Sequence, residues 1–291
     1  MKALWLVSFR PIGKSKINDF YQSIFVDSIK SLDLDITFSL TQFDEQNVSD
    51  FIKKKEIKNY FINIQKDKLP EGKKYSNKLM LDNALDQFID KDDFQYLIFS
   101  TADIVVPNNL FKTLSRIKDD KYCALIYPNT HVKNGKIINK FWPHYGIDLI
   151  IFKITKNDAK NFKKIIKNYT HYDWGTQENF YIAAAEALSL KFFNLFKFSN
   201  VIKFDNDFEA FVENRSWQIK AWKENQKYFL EFLKDNKLSK LYAFGSYYYL
   251  LFKILRIRDF NANLLLSYLI FYPYNLMKKI LFKIKEIFKK S

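Results

Sequence analysis

The stretch "YLIFSTADIVVPNNL" at positions 96–110 carries one carboxylate, Asp103, directly after an apolar run. A buried strand has no use for an aspartate at its end, whereas a ligand crevice or a turn does. Ligands of open α/β sheets sit beyond the carboxyl ends of the strands, and aspartate also caps the turn that opens a helix. Both roles are open to Asp103 at this point. Farther along, "YDWGTQENFYIAAAEAL" places Asp173 in a polar turn and Glu178 in the first turn of a helix. A carboxylate there complements the helix dipole; one that faces a crevice can accept a proton as a general base. His131, His144 and His171 lie in polar segments without an H-x-x-x-H spacing, so a dedicated zinc site is not expected. The sequence contains no Walker loop, no G-x-G-x-x-G, no G-x-S-x-G and no kinase signature.

These residues need elements to position them, and the first half of the chain alternates strand-like and helix-like segments. "KALWLVSF", "DITFSL", "NYFINIQ" and "FQYLIFS" read as strands. Between them, "KINDFYQSIFVDSIKSL" has helical spacing through Ile17, Phe20, Tyr21, Ile24, Phe25 and Ile29, "VSDFIKKKEI" is a short helix, and "YSNKLMLDNALDQFI" is a longer one. Strand-helix repetition of this kind means parallel pairing with right-handed crossovers, so the fold class expected is α/β, an open and mainly parallel sheet with flanking helices. "CALIYP" and "GIDLIIFKI" read as further strands joined by a polar and aromatic loop, "NTHVKNGKIINKFWPHY". A helix from about 157 to 168, the helix of Glu178 and one strand-like run, "FFNLFKFSNVIKF", complete this part, and from about Asp207 the pattern turns mainly helical. The expected organisation is a core at 1–207 and a helical C-terminal region at 208–291.

Composition narrows the class further. Hydrophobic residues make up 48% of the 291, with 18% aromatics, which excludes wholesale disorder. Cys123 is the only cysteine, so no intrachain disulfide forms and a reducing cytoplasmic compartment is expected. The opening "MKALWLVSF" is too short for a signal-peptide core and predicts a strand. The formal charge of +15 raises nucleic acid as a partner, but residues 237–291 carry eleven Lys/Arg against Asp259 and Glu286, hence +9 of that excess. There, "MKKILFKIKEIFKK" sets Met277, Ile280, Leu281, Ile284, Ile287 and Phe288 on one helical face with lysines largely around the other. The preceding "NLLLSYLIFYPYNLM" is apolar but broken at Pro273, short of the roughly 20 residues of a spanning helix. A basic amphipathic helix beside an apolar segment predicts binding in the plane of an anionic bilayer, on the inner face of the cytoplasmic membrane, and no nucleic-acid partner.

The segment "KYSNKLMLDNALDQFIDKDDFQYLIFSTADIVVPNNLFKTL", followed later by "DWGTQENFYIAAAEAL", resembles the GT-A glycosyltransferases, in particular the large family-two-like group of bacterial surface-polysaccharide type. The likeness spans roughly residues 2–207 in the order of its elements. It implies a GT-A, Rossmann-like mixed sheet, a nucleotide-sugar donor, and an acceptor that is a glycan or its lipid-linked precursor. It also implies a divalent cation, Mn²⁺ or Mg²⁺, because such an ion neutralises the leaving diphosphate and is held by one or two carboxylates. Asp103 takes the place of the last carboxylate of the family's D-x-D motif and would be the metal ligand. Thr101 stands where the first Asp belongs, and a hydroxyl is a poor metal ligand. His144, His171, Asp205 and Asp207 are candidates for a late ligand completing the shell. Glu178 matches the Glu of "W-G-x-E-D/N", the general base of an inverting transfer, with Asp173 as the competing candidate. Trp174 and Gly175 would shape the acceptor loop. Donor-binding positions implied are Ser8 and Arg10 after the first strand, Thr41 and Asp44 after the second, Lys78 and Asn83 on the helix before Asp103, and Thr101, Ala102 and Asp103 themselves.

Two other classes stay in view. A nucleotidyltransferase also binds a nucleotide over such a sheet and usually carries a Gly-rich basic loop after the first strand, where "SFRPIGKSK" offers one glycine. A non-enzymatic basic protein binding nucleic acid or membrane would interleave basic and aromatic residues on a core face, and the charge concentrated in the tail argues against it.

Overall fold

The computed structural model describes residues 1–42, 47–63, 77–126, 128, 130–133, 135–139, 148–166, 177–194, 200–204 and 227–238. In chain order the elements are β1 (Lys2–Ser8), α1 (Lys16–Lys30), β2 (Asp35–Gln42), α2 (Val48–Lys54), β3 (Asn59–Asn63), α3 (Asn77–Asp90) and β4 (Tyr96–Thr101). They continue with β5 (Ile104–Val105), α4 (Leu110–Leu114), β6 (Tyr122–Ile126), β7 (Thr130–Lys133), β8 (Lys136–Asn139), β9 (Leu149–Lys153), α5 (Lys156–Ile166), α6 (Gln177–Ala187), β10 (Lys191–Asn194) and β11 (Ile202–Phe204). A further helix, α7, covers 227–235. A seven-stranded sheet runs β10-β6-β9-β4-β1-β2-β3, and a four-stranded sheet runs β5-β11-β7-β8.

The large sheet is mostly parallel, as the strand-helix alternation predicts, and mixed, as the GT-A resemblance implies. β1 pairs in parallel with both β2 and β4, β2 with β3, and β6 with β10, while β9 lies antiparallel between β4 and β6. Each central strand is buried on both faces and splits its side chains by the period of two. Leu4 and Leu6 of β1, Leu97 and Phe99 of β4, and Ile150 and Phe152 of β9 enter one core layer, shared with α3, α5, α6 and α7. Ala3, Trp5 and Val7, Tyr96 and Ile98, and Leu149 and Ile151 enter the other, shared with α1, α2 and α4. α7 reaches the first layer through Phe229, Phe232 and Leu233, with the Phe180 and Phe232 rings 4.9 Å apart. Of the region 208–291 only 227–238 is described, so the basic amphipathic segment lies outside the described residues. Among the described residues no helix is long and apolar enough to cross a membrane.

The structure departs from the sequence expectations in three places. Inside the loop expected after β6, β7 and β8 form an antiparallel hairpin that pairs Lys133 with Lys136, with Gly135 at φ +70° in the turn. Only two residues join these strands, and the dipeptide Asn134-Gly135 is the usual chemistry of such a turn. The strand-like run after α6 divides into β10, an edge of the large sheet, and β11, in the small one. On α1 the buried face is Tyr21, Gln22, Phe25, Val26 and Ile29, while Ile17 and Phe20 are exposed. Gln22 takes the inward place because its amide oxygen accepts the Arg10 backbone N–H, and a buried backbone donor left without a partner is costly.

Candidate functional site

A cavity of about 240 Å³ opens at the carboxyl ends of β1 and β4. Leu6, Val7, Ser8 and Arg10 line it from β1 and the segment after it, and Phe99, Ser100, Thr101, Ala102 and Asp103 from β4 and its end. Asn18, Tyr21 and Gln22 of α1, Met80 of α3, Asp148 and Ile150 at the start of β9, and Tyr181 of α6 complete the wall. The chain runs from β1 to β2 and β3 on one side and returns to β4 on the other, and such a reversal of strand order is where an open α/β sheet leaves a crevice.

The segment after β1 is held by two buried glutamines. Gln42 clamps Phe9 from both sides, its Oε1 accepting the Phe9 N–H at 3.0 Å and its Nε2 donating to the Phe9 carbonyl at 2.8 Å. Gln22 accepts the N–H of Arg10. With its backbone so fixed, Arg10 extends a half-exposed side chain along the cavity, 3.4 Å from Asn18 Oδ1 and 3.8 Å from Asp103 Oδ2. On β4, Ser100 is fixed from the other core layer by the Trp5 indole N–H at 2.8 Å.

The centre of the site is an ion cluster built across 100 residues of sequence. Lys203 Nζ donates to Asp103 Oδ1 at 2.7 Å, to Asp148 Oδ1 at 2.6 Å and to Thr101 Oγ1 at 3.2 Å. These three bonds use all the protons of an ammonium. The side chains are nearly enclosed, 11% exposed for Lys203, 14% for Asp103 and 6% for Asp148. Sheet pairing brings them together: Lys203 lies opposite Ile104 in the β11–β5 pair, and the Phe204 N–H donates to the Asp103 carbonyl at 2.8 Å. The Phe204 ring also stacks on Tyr21, centroids 4.2 Å apart, tying β11 to α1.

Burial opposes charge on Asp103, yet the Lys203 ammonium beside it, hydrogen bonds from Lys203 and Thr101, and the Arg10 guanidinium outweigh it and hold the carboxyl below its ordinary 3.8. Burial likewise opposes charge on Lys203, and the carboxylates of Asp148 and then Asp103 outweigh it, holding the ammonium above its ordinary 10.5. Both groups are therefore charged at neutral pH. The two carboxylates and the cations of Lys203 and Arg10 sum to zero.

Of the positions expected from the sequence, Ser8, Arg10, Thr101, Ala102 and Asp103 converge on the cavity. Asn83 does not line it: its Nδ2 donates to Thr41 Oγ1 at 3.1 Å, bracing α3 against β2. Lys78 and Glu178 lie in the first turns of α3 and α6, Glu178 one turn before Tyr181. His131 is not in a polar loop but buried in β7, opposite Lys203 in the β11–β7 pair. Asp44, His144, His171, Asp173, Trp174, Gly175, Asp205 and Asp207 lie outside the described residues. Lys203, Asp148, Gln22 and Gln42 are site residues that the sequence reading missed. The available signal for Lys203 was a single charge inside the short apolar run "VIKF", since a buried lysine is rare without a partner.

The divalent cation implied by the family resemblance can be tested against this donor set. Among the described residues no three His, Cys, Asp or Glu side chains converge as a metal shell would need. Thr101 donates no carboxylate, and Asp103 and Asp148 both direct Oδ1 at one ammonium. A cation bound by those oxygens would have to displace a buried, triply bonded Lys203. Among the described residues the donor set as arranged does not fit a divalent ion.

No protein-family model matches the sequence, and no curated protein does. Solved structures are similar at the level of the fold. S. aureus TarS is 12% identical, with a TM-score of 0.45, and the match covers 80% of this chain. The chain spans 43% of the length of that TarS structure, and 72% of a shorter TarS chain in complex with UDP-GlcNAc, 11% identical with a TM-score of 0.44. The inositol-1-phosphate CTP transferase from T. maritima is 12% identical, with a TM-score of 0.40 over 70% of this chain and 89% of its own. A Drosophila β1,4-galactosyltransferase 7 in complex with manganese, UDP-Gal and xylobiose is 11% identical, with a TM-score of 0.36 over 72% of this chain and 73% of its own. The fold thus resembles glycosyltransferases and nucleotidyltransferases alike, as a distant likeness that assigns neither chemistry.

Proposed function

We propose that this chain is an inverting glycosyltransferase that takes a sugar from a nucleotide-sugar donor. The observation that carries the reading is the cavity at the ends of β1 and β4, in which Ser8, Arg10 and the Thr101–Asp103 turn meet. Five of the donor positions that the motif resemblance implies, Ser8, Arg10, Thr101, Ala102 and Asp103, lie in its wall. The diphosphate lies against the Arg10 side of the cavity, with the sugar toward Tyr181 and α6.

In the reaction, an acceptor hydroxyl attacks the anomeric carbon from the face opposite the diphosphate. Its oxygen forms the new C–O bond as the bond from the anomeric carbon to the phosphate oxygen breaks, and the nucleoside diphosphate or monophosphate departs with that electron pair. The acceptor proton passes to a carboxylate, Glu178 in this reading and Asp173 as its competitor. Tyr181, one turn beyond Glu178 on α6 and in the cavity wall, supports a site for the acceptor at this end. The test is product identity: a nucleoside diphosphate or monophosphate released from a nucleotide sugar supports the reading, and pyrophosphate released from a nucleoside triphosphate makes the chain a nucleotidyltransferase.

The acceptor in this proposal is a bacterial cell-surface glycan (capsule or lipooligosaccharide) or its lipid-linked precursor, reached from the cytoplasmic face of the membrane. The support is the sequence of the basic tail, with one acidic residue in "MKKILFKIKEIFKK". Removing residues from about 275 onward is expected to release the protein from phosphatidylglycerol-containing vesicles in a flotation assay while donor turnover persists. Undiminished flotation would remove the tail from this account.

A further inference from the structure

The oxygens that would hold a divalent ion already hold an ammonium. Resting on the glycosyltransferase reading, we propose that this chain neutralises the donor diphosphate with two built-in side-chain cations, Lys203 and Arg10, in place of a divalent metal ion.

Charge balance leads to this inference. Two carboxylates with one divalent cation sum to zero, and Asp103 and Asp148 with Lys203 and Arg10 reach the same sum with no ion added. The two cations divide the work. Lys203 spends its three N–H bonds on Asp103, Asp148 and Thr101, so it is a fixed counter-charge inside the wall. It keeps the carboxylates from repelling an incoming phosphate. Arg10 is the reaching group. Its side chain is 52% exposed, its polar contacts among the described residues are Asn18 Oδ1 at 3.4 Å and Asp103 Oδ2 at 3.8 Å, and its backbone is pinned through Gln22 and the Gln42 clamp on Phe9. A guanidinium presents five donors in a fork that matches phosphate oxygens, and two long contacts leave most of that fork for a ligand.

The cluster also resists exchange. A divalent ion on those oxygens would need the Lys203 side chain to swing away, yet its backbone is held in place by pairing with β5 and β7 and by the Phe204 N–H on the Asp103 carbonyl. Expelling the ammonium while it stays buried would strand an unpaired charge.

The test is calorimetric titration of the full chain with UDP, CDP, GDP, ADP and dTDP, once in EDTA and once in Mn²⁺, alongside electron paramagnetic resonance of free Mn²⁺. At least one nucleoside diphosphate is expected to bind with the same Kd in both buffers, and the wild-type protein should leave the free Mn²⁺ signal undiminished. Arg10→Met should weaken that diphosphate by about 10- to 100-fold, the worth of a charge-assisted hydrogen bond, with nucleoside affinity unchanged. Lys203→Ala exposes two carboxylates and should acquire Mn²⁺ uptake that the wild type lacks. Binding seen only in Mn²⁺, or stoichiometric Mn²⁺ uptake by the wild type, overturns this inference and leaves the glycosyltransferase reading standing. No binding of any nucleoside diphosphate in either buffer overturns both. If Lys203→Ala does not fold, the wild-type titrations decide the matter alone.

Discussion

Replacing Lys203 with methionine is expected to lower the unfolding free energy at neutral pH by about 3–5 kcal/mol, the usual cost of removing one partner from a buried ion pair. In a chain of this size that is a fall on the order of 10 °C in Tm. The substitution leaves Asp103 and Asp148 enclosed without the ammonium they share. The pH dependence gives the sharper signature. In the wild type, the folded Asp103 carboxyl lies below its ordinary 3.8, so its contribution is present above that value and is lost as the pH falls through the folded one. The raised Lys203 contributes fully below 10.5, and that share fades only as the pH rises through its folded value. Wild-type stability from this cluster is therefore flat across neutral pH. In the variant, burial, the largest influence on Asp103, dominates and raises its carboxyl, so folding takes up a proton and stability rises as the pH is lowered from neutral. Thermal denaturation of both proteins across that range checks this. Equal Tm values at neutral pH would show that the cluster contributes nothing.

Glu178→Gln is expected to lower the rate of sugar transfer by about a hundredfold or more, the scale of losing a general base, while the donor Kd stays unchanged. The isosteric amide keeps the shape of the first turn of α6 and removes only the proton acceptor. The variant should also lose the acid-side ionisation from its pH–rate profile, an effect that a merely structural role would not produce. If Asp173→Asn shows this loss and Glu178→Gln does not, the base is Asp173. If neither does, the transfer uses another acceptor for the proton.

The sequence carried the local parts of the fold. Buried strands with strict alternation, such as Ala3-Trp5-Val7 against Leu4-Leu6, announce themselves because the period of two and the apolar content agree. Ser15 sits as the N-cap of α1, accepting the Asn18 N–H, and Asp103 stands at the end of β4 where a crevice was expected. What escaped notice depended on partners far away in sequence. Lys203 becomes a site residue only because β11 pairs with β5, which brings it to Asp103, and because Asp148 arrives on β9. Gln22 and Gln42 look like ordinary polar residues until they meet the backbone after β1. Asn83 illustrates the converse, a family position that here meets a buried threonine of β2. The β7–β8 hairpin was different, since its Asn-Gly signal was present and outweighed by the polar, aromatic composition around it.

The account depends on activated-sugar chemistry in the crevice beside Asp103. Product analysis with a panel of nucleotide sugars, comparing the wild type with Asp103→Asn, tests that claim most directly. At least one donor is expected to yield a nucleoside diphosphate or monophosphate with the wild type, and none with the variant despite its retained fold. Release of the same product at near-normal rate by Asp103→Asn, or no turnover of any donor by the wild type, would contradict it.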